Sequence, residues 1–271
     1  MVTTPIYNLD DINALALDRG RRALTDGTIP NPPKFVFVTI SGAHLYGFPS
    51  QDSDIDLRGS HVLPMKDVIG LTDPNETYET MDGLVDGIEV DCVSHDLKKY
   101  LSLLTRKNGY VLEQILSPLV VYDSGKMEEL RALARGALTK HIVHHYKGFY
   151  RTQEKLVLKD DAATAKAVLY LFRVLMTGLN LLCTGQVEAN ILRLNEDVFR
   201  LPFIPDLVAR KVGGKEKGLL KAGEREVFVE EARKLEAQLD PAAAESQLPD
   251  EIQNYAAIND FLIRERLAGG V

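Results

Sequence analysis

Three aspartates alternate with other residues after an apolar run and a glycine turn, in the stretch FVFVTISGAHLYGFPSQDSDIDLRGSHV at residues 35–62. They are Asp52, Asp54 and Asp56. Carboxylates this close repel one another, and a cation, a metal-bound phosphate or a proton between them removes the repulsion. Residues two apart on a strand point to the same face, so Asp54 and Asp56 project together. The spacing therefore predicts a ligand site beside a buried strand.

The apolar patterns around the aspartates predict a small sheet. KFVFVTI is short, continuous and β-branched, which is typical of a strand covered on both faces, and DIDLRGSHV alternates as its neighbour would. Farther on, ETYETMDG and LVDGIEVDCVS predict a hairpin with a tight turn at Asp82-Gly83. Alternation in the later strand puts Glu89 and Asp91 on one face, so either residue is a candidate third carboxylate.

The apolar spacing becomes helical from His95 onward, apart from the short run PLVVYDS. The predicted helical segments include MEELRALARGAL, KHIVHHYKGFYRTQEKLVL, ATAKAVLYLFRVLMTGLNLLCTG, EREVFVEEARKLEAQL and DEIQNYAAINDFLIRERL. A further helix over residues 9–26 precedes the first strand, and PMKDVIGL predicts a helical turn. We therefore expect an α+β fold, with a small mixed β-sheet lobe over residues 1–125 and an α-helical bundle lobe over residues 126–271.

The charge balance excludes a generally basic nucleic-acid coat, because 39 acidic residues outnumber 32 basic ones and give a net charge of −7. Any polyanion must be bound by a local patch or through a metal. Two cysteines, Cys92 and Cys183, are interpreted as reduced thiols rather than a disulfide framework. No signal-like start and no run of about 18 apolar residues are found, so we expect a cytoplasmic protein with no membrane span.

Closely spaced aspartates also occur in calcium loops, in glycosyltransferase metal motifs and in solvated turns. A calcium loop of the EF-hand type needs Gly at its sixth position and Glu at its twelfth, but counting from Asp52 these are Leu57 and Leu63, so it fails. A glycosyltransferase metal motif and a solvated turn without a ligand remain as alternatives. Carboxylates on adjacent strands instead suit two Mg²⁺ ions, which is the arrangement of phosphoryl or nucleotidyl transfer.

Gly42 comes directly after the first predicted strand. A residue without Cβ lets backbone N–H groups approach a phosphate closely, although an ordinary strand exit would also use glycine. Ten residues separate Ala43 from Asp54, enough for a helical turn and a return strand. These parts fit one pocket.

This combination resembles the DNA polymerase β-like nucleotidyltransferase superfamily, in which a strand, Gly-Ser and a short helix precede Asp-x-Asp, and a third Asp follows on a later strand. The matching residues are Gly42, Asp54, Asp56 and Asp91. The fuller pattern, with DLKKYLSLLTRKNGYVLEQIL and TGQ downstream, is similar to bacterial and phage predicted nucleotidyltransferases that include RNA-ligase-associated members, through about residue 190. Residues 1–125 would then be the catalytic domain.

The resemblance implies transfer of a nucleoside monophosphate from an NTP to a hydroxyl acceptor, with RNA or protein as candidate acceptors. It implies Mg²⁺ or Mn²⁺ as the cofactor, bound by Asp54, Asp56 and Asp91, which would also be the catalytic residues. It favours Asp91 over Glu89 as the third carboxylate.

The resemblance also implies that the NTP binds at the turn, around Ser41, Gly42, Ala43 and His44. Ala43 stands where the superfamily usually has Ser, and the missing hydroxyl removes one hydrogen bond to the triphosphate. Ser41, His44 and Tyr46 are candidates to replace it. The departure also motivates a second hypothesis, a catalytically weakened nucleotide-binding regulatory module.

One polar stripe runs along an otherwise apolar predicted helix, formed by Lys166, Tyr170, Arg173 and Thr177. Such a stripe either faces water or, on a buried helix, looks into a cleft. In the second case Lys166 and Arg173 would contact the phosphates of the NTP.

Two more clusters each allow two interpretations. Three histidines on one side of a predicted helix are interpreted as surface or core residues, with a metal site as the alternative: His141, His144 and His145. A run of basic residues predicts a solvated mobile loop, with an acceptor-RNA contact as the alternative: Arg210, Lys211, Lys215, Lys217 and Lys221.

Overall fold

The structure, a computed structural model, describes residues 8–159, 163–214 and 218–268. A five-stranded mixed sheet is followed along the chain by helices, which confirms the predicted α+β fold. The strands are β1 (Phe35–Ile40), β2 (Ile55–His61), β3 (Thr77–Val85), β4 (Ile88–Asp96) and β5 (Val120–Asp123).

The strand order is β3-β4-β2-β1-β5. β2 is antiparallel to β1 and parallel to β4, whereas β3 and β5 close the two edges as antiparallel strands. The segments KFVFVTI and DIDLRGSHV are therefore sheet neighbours, as predicted. All six residues of β1 are buried, as expected for a strand covered on both faces.

The hairpin turn lies four residues later than predicted. The hairpin segment contains Asp-Gly twice, and the chain turns at Asp86-Gly87, where both residues have positive φ (51° and 76°) as a type I′ turn requires. The predicted turn, Asp82-Gly83, lies instead at a register shift within β3. A Cβ on Gly83 would lie 2.7 Å from a backbone oxygen of β4, so this irregularity requires glycine.

The helices are α1 (Leu9–Thr25), α2 (Gly42–Tyr46), α3 (Met65–Val68), α4 (Leu97–Thr105), α5 (Gly109–Leu116), α6 (Met127–Gly136), α7 (Val143–Lys159), α8 (Ala165–Thr184), α9 (Ile191–Leu194), α10 (Ile204–Val212), α11 (Glu224–Glu236), α12 (Leu239–Glu245) and α13 (Tyr255–Ala268). A 3-10 turn over Lys140–Ile142 and a π-helical turn over Asn195–Phe199 connect some of them. Polar caps mark several starts: Asn8 accepts hydrogen bonds at the start of α1, and Asp96 and Thr164 do so for α4 and α8.

Two hydrophobic cores cover the sheet. The smaller core packs α1 against one face, where Ile55 and Leu57 of β2 are buried. The larger core begins at Phe37 of β1 and continues through α4, α5 and α6 to the helices around α8. This larger core continues without interruption across residue 125, and the division into two lobes there stays a prediction.

Helix α8 is the centre of the larger core. It is long and apolar enough to span a membrane, but 78% of its most apolar eighteen-residue window is buried inside the protein. The buried core helix of a protein passes the same test of length and composition. The two cysteines are both free thiols; Cys92 is buried in β4 and Cys183 is exposed at the end of α8.

Candidate active site

Asp56 on β2 and Asp91 on β4 are register partners in the parallel strand pair. Paired residues of neighbouring strands project to the same face, so the two carboxylates lie side by side on the partly exposed face of the sheet. Asp54 comes just before β2 and has the same parity as Asp56. The structure therefore pairs Asp56 with Asp91 and places Asp54 near enough for its charge to act on Asp56. Glu89 shares their parity and lies exposed near the start of β4.

The carboxylate of Asp56 is electrostatically strained. Its side chain is 31% exposed, and burial raises its pKa above the ordinary value. Arg58 lowers that pKa, whereas the charges of Asp91 and Asp54 raise it. The net direction is upward, which means that the folded protein disfavours the charged form of Asp56. Additional positive charge beside the three carboxylates would stabilise them.

Arg58 is the cation already paired with Asp56. Its Nη2 lies 2.6 Å from Oδ1 of Asp56, and its Nη1 donates a hydrogen bond to the carbonyl of Leu57. This arginine was not among the predicted site residues, although Arg58 follows Asp56 at the i+2 position and its parity on β2 predicts the shared face.

Gly42 is the first residue of α2 and packs directly against Asp56. Its φ is 61°, and a Cβ built at this position would lie 2.0 Å from Oδ2 of Asp56. The backbone N–H of Ser41 donates a 2.9 Å hydrogen bond to the carbonyl of Asp56. The glycine is therefore required both by its backbone conformation and by the close approach of a carboxylate.

The other predicted turn residues lie around Gly42. Ser41 is buried and does not cap α2; its side chain interacts with the hydroxyl of Tyr46. Ala43 packs against the larger core. Burial lowers the pKa of His44 to about 4, and its Nδ1 lies 3.0 Å from Oδ1 of Asn13 on α1. At neutral pH His44 is thus an uncharged ring held against α1.

Lys211 of α10 reaches the loop that leads into β2. Its Nζ donates hydrogen bonds of 3.0 Å to the hydroxyls of both Ser50 and Ser53. The prediction of a solvated mobile loop is therefore wrong for Lys211, and also for Arg210, which lies in the same helix and pairs with Glu224 at 2.9 Å. Helix α10 forms because its apolar residues have helical spacing and pack on α8. Lys215 and Lys217 lie outside the described residues.

Lys211 and Lys166 converge beside the carboxylates. The pKa of Lys211 is lowered to about 8, chiefly by burial and also by the charge of Lys166, while the charges of Asp52 and Asp54 act in the opposite direction. Lys166, in the first turn of α8, is exposed and also lowers the pKa of Asp56. Two cations that repel one another at the rim of an acidic site favour the binding of an anion between them.

Arg173 lies deeper along the same helix and is fully buried. Its Nη1 lies 2.7 Å from Oε2 of Glu113, and its guanidinium is stacked 4.0 Å from the ring centre of Tyr46. The alternative of a water-facing stripe is wrong for Arg173 and for Thr177, which is also fully buried. Contact between Arg173 and an NTP stays a prediction.

The three histidines of the helical region do not converge on one point. His141 and His144 stack with their ring centres 6.1 Å apart, and Nε2 of His141 lies 3.4 Å from Asp250. His145 packs edge-on against Tyr110 and Tyr146. This arrangement supports the interpretation of surface and core histidines.

The three carboxylates fit a divalent metal ion by their chemistry. Asp54, Asp56 and Asp91 offer only carboxylate oxygens, which are the donors that Mg²⁺ and Mn²⁺ prefer. Burial, and to a smaller extent the charges of Asp91 and Asp54, raise the pKa of Asp56, and a bound cation would stabilise its charged form. Within residues 8–159, 163–214 and 218–268, no three His, Cys, Asp or Glu side chains are already gathered as a metal-binding group. The donor set is therefore suitable but not preassembled.

Comparisons with known proteins show which family this chain is similar to. A family model described as the RNA repair pathway DNA polymerase beta family matches residues 18–264. The chain is 33% identical over 159 residues to the uncharacterized protein MJ0002 of Methanocaldococcus jannaschii. That match covers 57% of this chain and 63% of the relative. The chain is also 31% identical over 151 residues to the uncharacterized protein YcgL of Bacillus subtilis. That match covers 53% of this chain and 54% of the relative. Each match thus spans less than two thirds of the relative.

Proposed function

This chain belongs to the RNA repair pathway DNA polymerase beta family, and from that premise we propose that it is a metal-dependent nucleotidyltransferase that transfers a nucleoside monophosphate from an NTP to a hydroxyl group. The observation that carries the proposal is the register pairing of Asp56 with Asp91, with the Asp56 carboxylate seated against Gly42. That arrangement joins two acidic strands to the glycine turn in one site.

Asp54, Asp56 and Asp91 would hold the metal ion. A bound divalent cation supplies positive charge to the triphosphate and lowers the pKa of the attacking hydroxyl. Arg58 would neutralise part of the charge of Asp56, because its Nη2 already lies 2.6 Å from Oδ1 of that carboxylate.

Lys166 and Lys211 would bind the phosphates of the NTP. Both lysines act electrostatically on the acidic site from the helical side, and Lys211 is oriented by Ser50 and Ser53. Cations in this position stabilise the negative charge that develops on the departing pyrophosphate. We assign this role to the lysines rather than to Arg173, because Arg173 is fully buried and already paired with Glu113.

Asp91 is the proposed acceptor of the proton. As the acceptor oxygen bonds to the α-phosphorus, the bond from that phosphorus to the bridging oxygen breaks and pyrophosphate leaves. The hydroxyl proton passes to the carboxylate of Asp91. Asp91 suits this role better than Asp56, because Oδ1 of Asp56 is paired with Arg58 and its Oδ2 packs against Gly42.

The acceptor proposed first is an RNA hydroxyl, because the family is described by an RNA repair pathway. A protein hydroxyl is the second candidate. Ala43, in place of the usual Ser, supports a different function, a nucleotide-binding regulatory module with weakened transfer.

The test is transfer from each of the four radiolabelled NTPs, with Mg²⁺ or Mn²⁺, to RNA oligonucleotides or to protein, with release of pyrophosphate measured in parallel. The Asp56→Asn and Asp91→Asn variants should be inactive. Asp67→Asn is the matched control, because this exposed carboxylate lies in α3, away from the site. NTP binding without transfer to either acceptor would contradict the enzyme and support the regulatory module.

A further inference from the structure

Aromatic side chains from separate elements form a continuous row beside the carboxylate site. We call this row the aromatic strip; it consists of Tyr110, Phe149, Tyr46, Tyr170 and Phe48. The ring centres of Tyr110 and Phe149 are 4.9 Å apart. The ring centre of Tyr170 lies 5.6 Å from that of Tyr46 and 5.6 Å from that of Phe48. The guanidinium of Arg173 joins the two parts, at 5.5 Å from Phe149 and 4.0 Å from Tyr46.

The strip has a buried part and an exposed part. Tyr46 and Phe48 belong to the hydrophobic core and are almost inaccessible. Tyr110 is 37% exposed, and Phe149 and Tyr170 are partly exposed. Three residues of the strip, Tyr110, Phe149 and Tyr170, are therefore partly accessible to a ligand.

The exposed part borders the acidic site. Burial raises the pKa of the Tyr170 hydroxyl, and the nearby charge of Asp56 raises it further. Burial likewise raises the pKa of Tyr110, while Arg58 of β2 lowers it. The two hydroxyls also act on each other. The contacts give the same placement: Tyr170 packs on Tyr46, which ends the helix α2 that begins at Gly42, and Gly42 packs against Asp56. Tyr110 joins this group through Phe149 and Arg173.

Helix α8 links the aromatic strip to the proposed phosphate site. Lys166 and Tyr170 are four residues apart on α8, so they share one side of the helix. A ligand whose phosphates contact Lys166 thus has an aromatic surface within one helical turn of those phosphates. The ligand that combines a phosphate chain with a flat aromatic group is a nucleotide.

We propose that the exposed part of the aromatic strip is the surface on which the base of the bound NTP stacks, with Tyr110 as its most accessible ring. The inference rests on the proposed function and adds the nucleobase subsite to it. Base stacking on aromatic side chains is tolerant of base identity, because every base has a π-face. The subsite should therefore bind the bases of all four NTPs.

The test compares two probes by calorimetry in Mg²⁺: a non-hydrolysable ATP analogue and inorganic tripolyphosphate, which lacks a base. Tyr110→Ala should weaken binding of the analogue by about 5- to 150-fold, the loss typical of one stacked base, and leave tripolyphosphate binding unchanged. Tyr110→Phe keeps the ring and should bind the analogue like the wild type. Tyr255→Ala is the matched control, because this tyrosine is 63% exposed at the start of α13.

Three outcomes would overturn the inference while the proposed function stands. They are unchanged affinity of Tyr110→Ala for the analogue, an equal loss for both probes, and a loss confined to binding of an RNA oligonucleotide in the absence of NTP. The last of these would assign the ring to the acceptor base. A wild-type protein that binds neither the analogue nor tripolyphosphate would overturn the proposed function together with the inference.

Discussion

Oδ2 of Asp56 lies where the side chain of residue 42 would begin, because a Cβ on Gly42 would be only 2.0 Å from it. The turn and the carboxylate are therefore interdependent: the position of Asp56 requires a missing side chain, and the φ of 61° requires a residue that tolerates a left-handed backbone. Glycine alone satisfies both conditions at this point of the chain. The glycine turn is thus part of the candidate active site and more than a strand exit.

Gly42→Ala should abolish transfer and lower the free energy of unfolding. The strained backbone contributes about 1–3 kcal/mol, and displacement of the Asp56 carboxylate adds to it. Gly27→Ala is the matched control, because Gly27 also has a positive φ (89°) but nothing lies within 4 Å of its Cβ position. Urea unfolding and turnover of both variants check the prediction. Equal stability and equal activity of the two variants would contradict it.

Asp56→Asn should raise the melting temperature at neutral pH in the absence of divalent metal. The pKa of Asp56 is raised in the folded protein, chiefly by burial, so its charged form destabilises the fold above that raised pKa. The difference between wild type and variant should shrink as the pH falls through the raised pKa and disappear below the ordinary value of 3.8, where the carboxyl is protonated in the folded and the unfolded state.

Thermal denaturation of the wild type and Asp56→Asn also tests the assignment of Asp56 to the metal site. Added Mg²⁺ should raise the melting temperature of the wild type and have a much smaller effect on Asp56→Asn. Asp67→Asn, whose carboxylate is exposed in α3, should respond to Mg²⁺ like the wild type. An equal response of Asp56→Asn and the wild type would remove Asp56 from the metal site.

Lys211 should make NTP binding depend on pH. Its pKa is lowered to about 8, chiefly by burial, and binding of a triphosphate requires the protonated form. The affinity should therefore be constant below that pH and fall by up to about tenfold per pH unit above it. Lys211→Arg stays charged and should remove this dependence. Calorimetry on both sides of pH 8 measures the effect, and an identical decline in the arginine variant would refute the assignment.

The sequence predicts the acidic centre of this site because the determinants are local. The strand before Gly42, the return strand and the parity of Asp54 and Asp56 all follow from residues within one short stretch. Parity on the later strand allows either Glu89 or Asp91, and the family resemblance favours Asp91. Arg58 was predictable by the same parity rule.

Contacts between distant residues were not predictable. Lys211 lies 161 residues from Ser50, and no periodicity connects them. The choice between two Asp-Gly turns also involves a distant partner, since Arg22 of α1 binds Asp86 through two hydrogen bonds of 2.8 and 2.9 Å. Local turn preference is equal for the two dipeptides, so tertiary structure decides.

Ala43→Ser should strengthen NTP binding. A restored hydroxyl adds one hydrogen bond to a phosphate, with a net value of about 0.5–1.5 kcal/mol. Binding of tripolyphosphate should improve equally, because the hydroxyl does not contact the base. Ala242→Ser, a partly buried alanine of α12, is the control. Unchanged or weaker binding by Ala43→Ser would mean that Ala43 serves packing alone and that other donors complete the turn.

Arg173→Met should destabilise the protein strongly through Glu113 rather than through loss of a phosphate contact. The two side chains are 0% and 3% exposed and lie 2.7 Å apart, so removal of the arginine leaves a buried carboxylate without its partner. Breaking a buried pair in this way costs about 3–5 kcal/mol. In a Glu113→Gln background the charge is gone and Tyr146 keeps an acceptor for its hydroxyl, which donates to Glu113 at 3.3 Å in the wild type. Arg173→Met should therefore cost much less in that background, as measured by urea unfolding of the two single variants and the double variant. If the two changes are simply additive, Glu113 is not the reason that Arg173 is needed, and the predicted contact with the NTP becomes the stronger hypothesis.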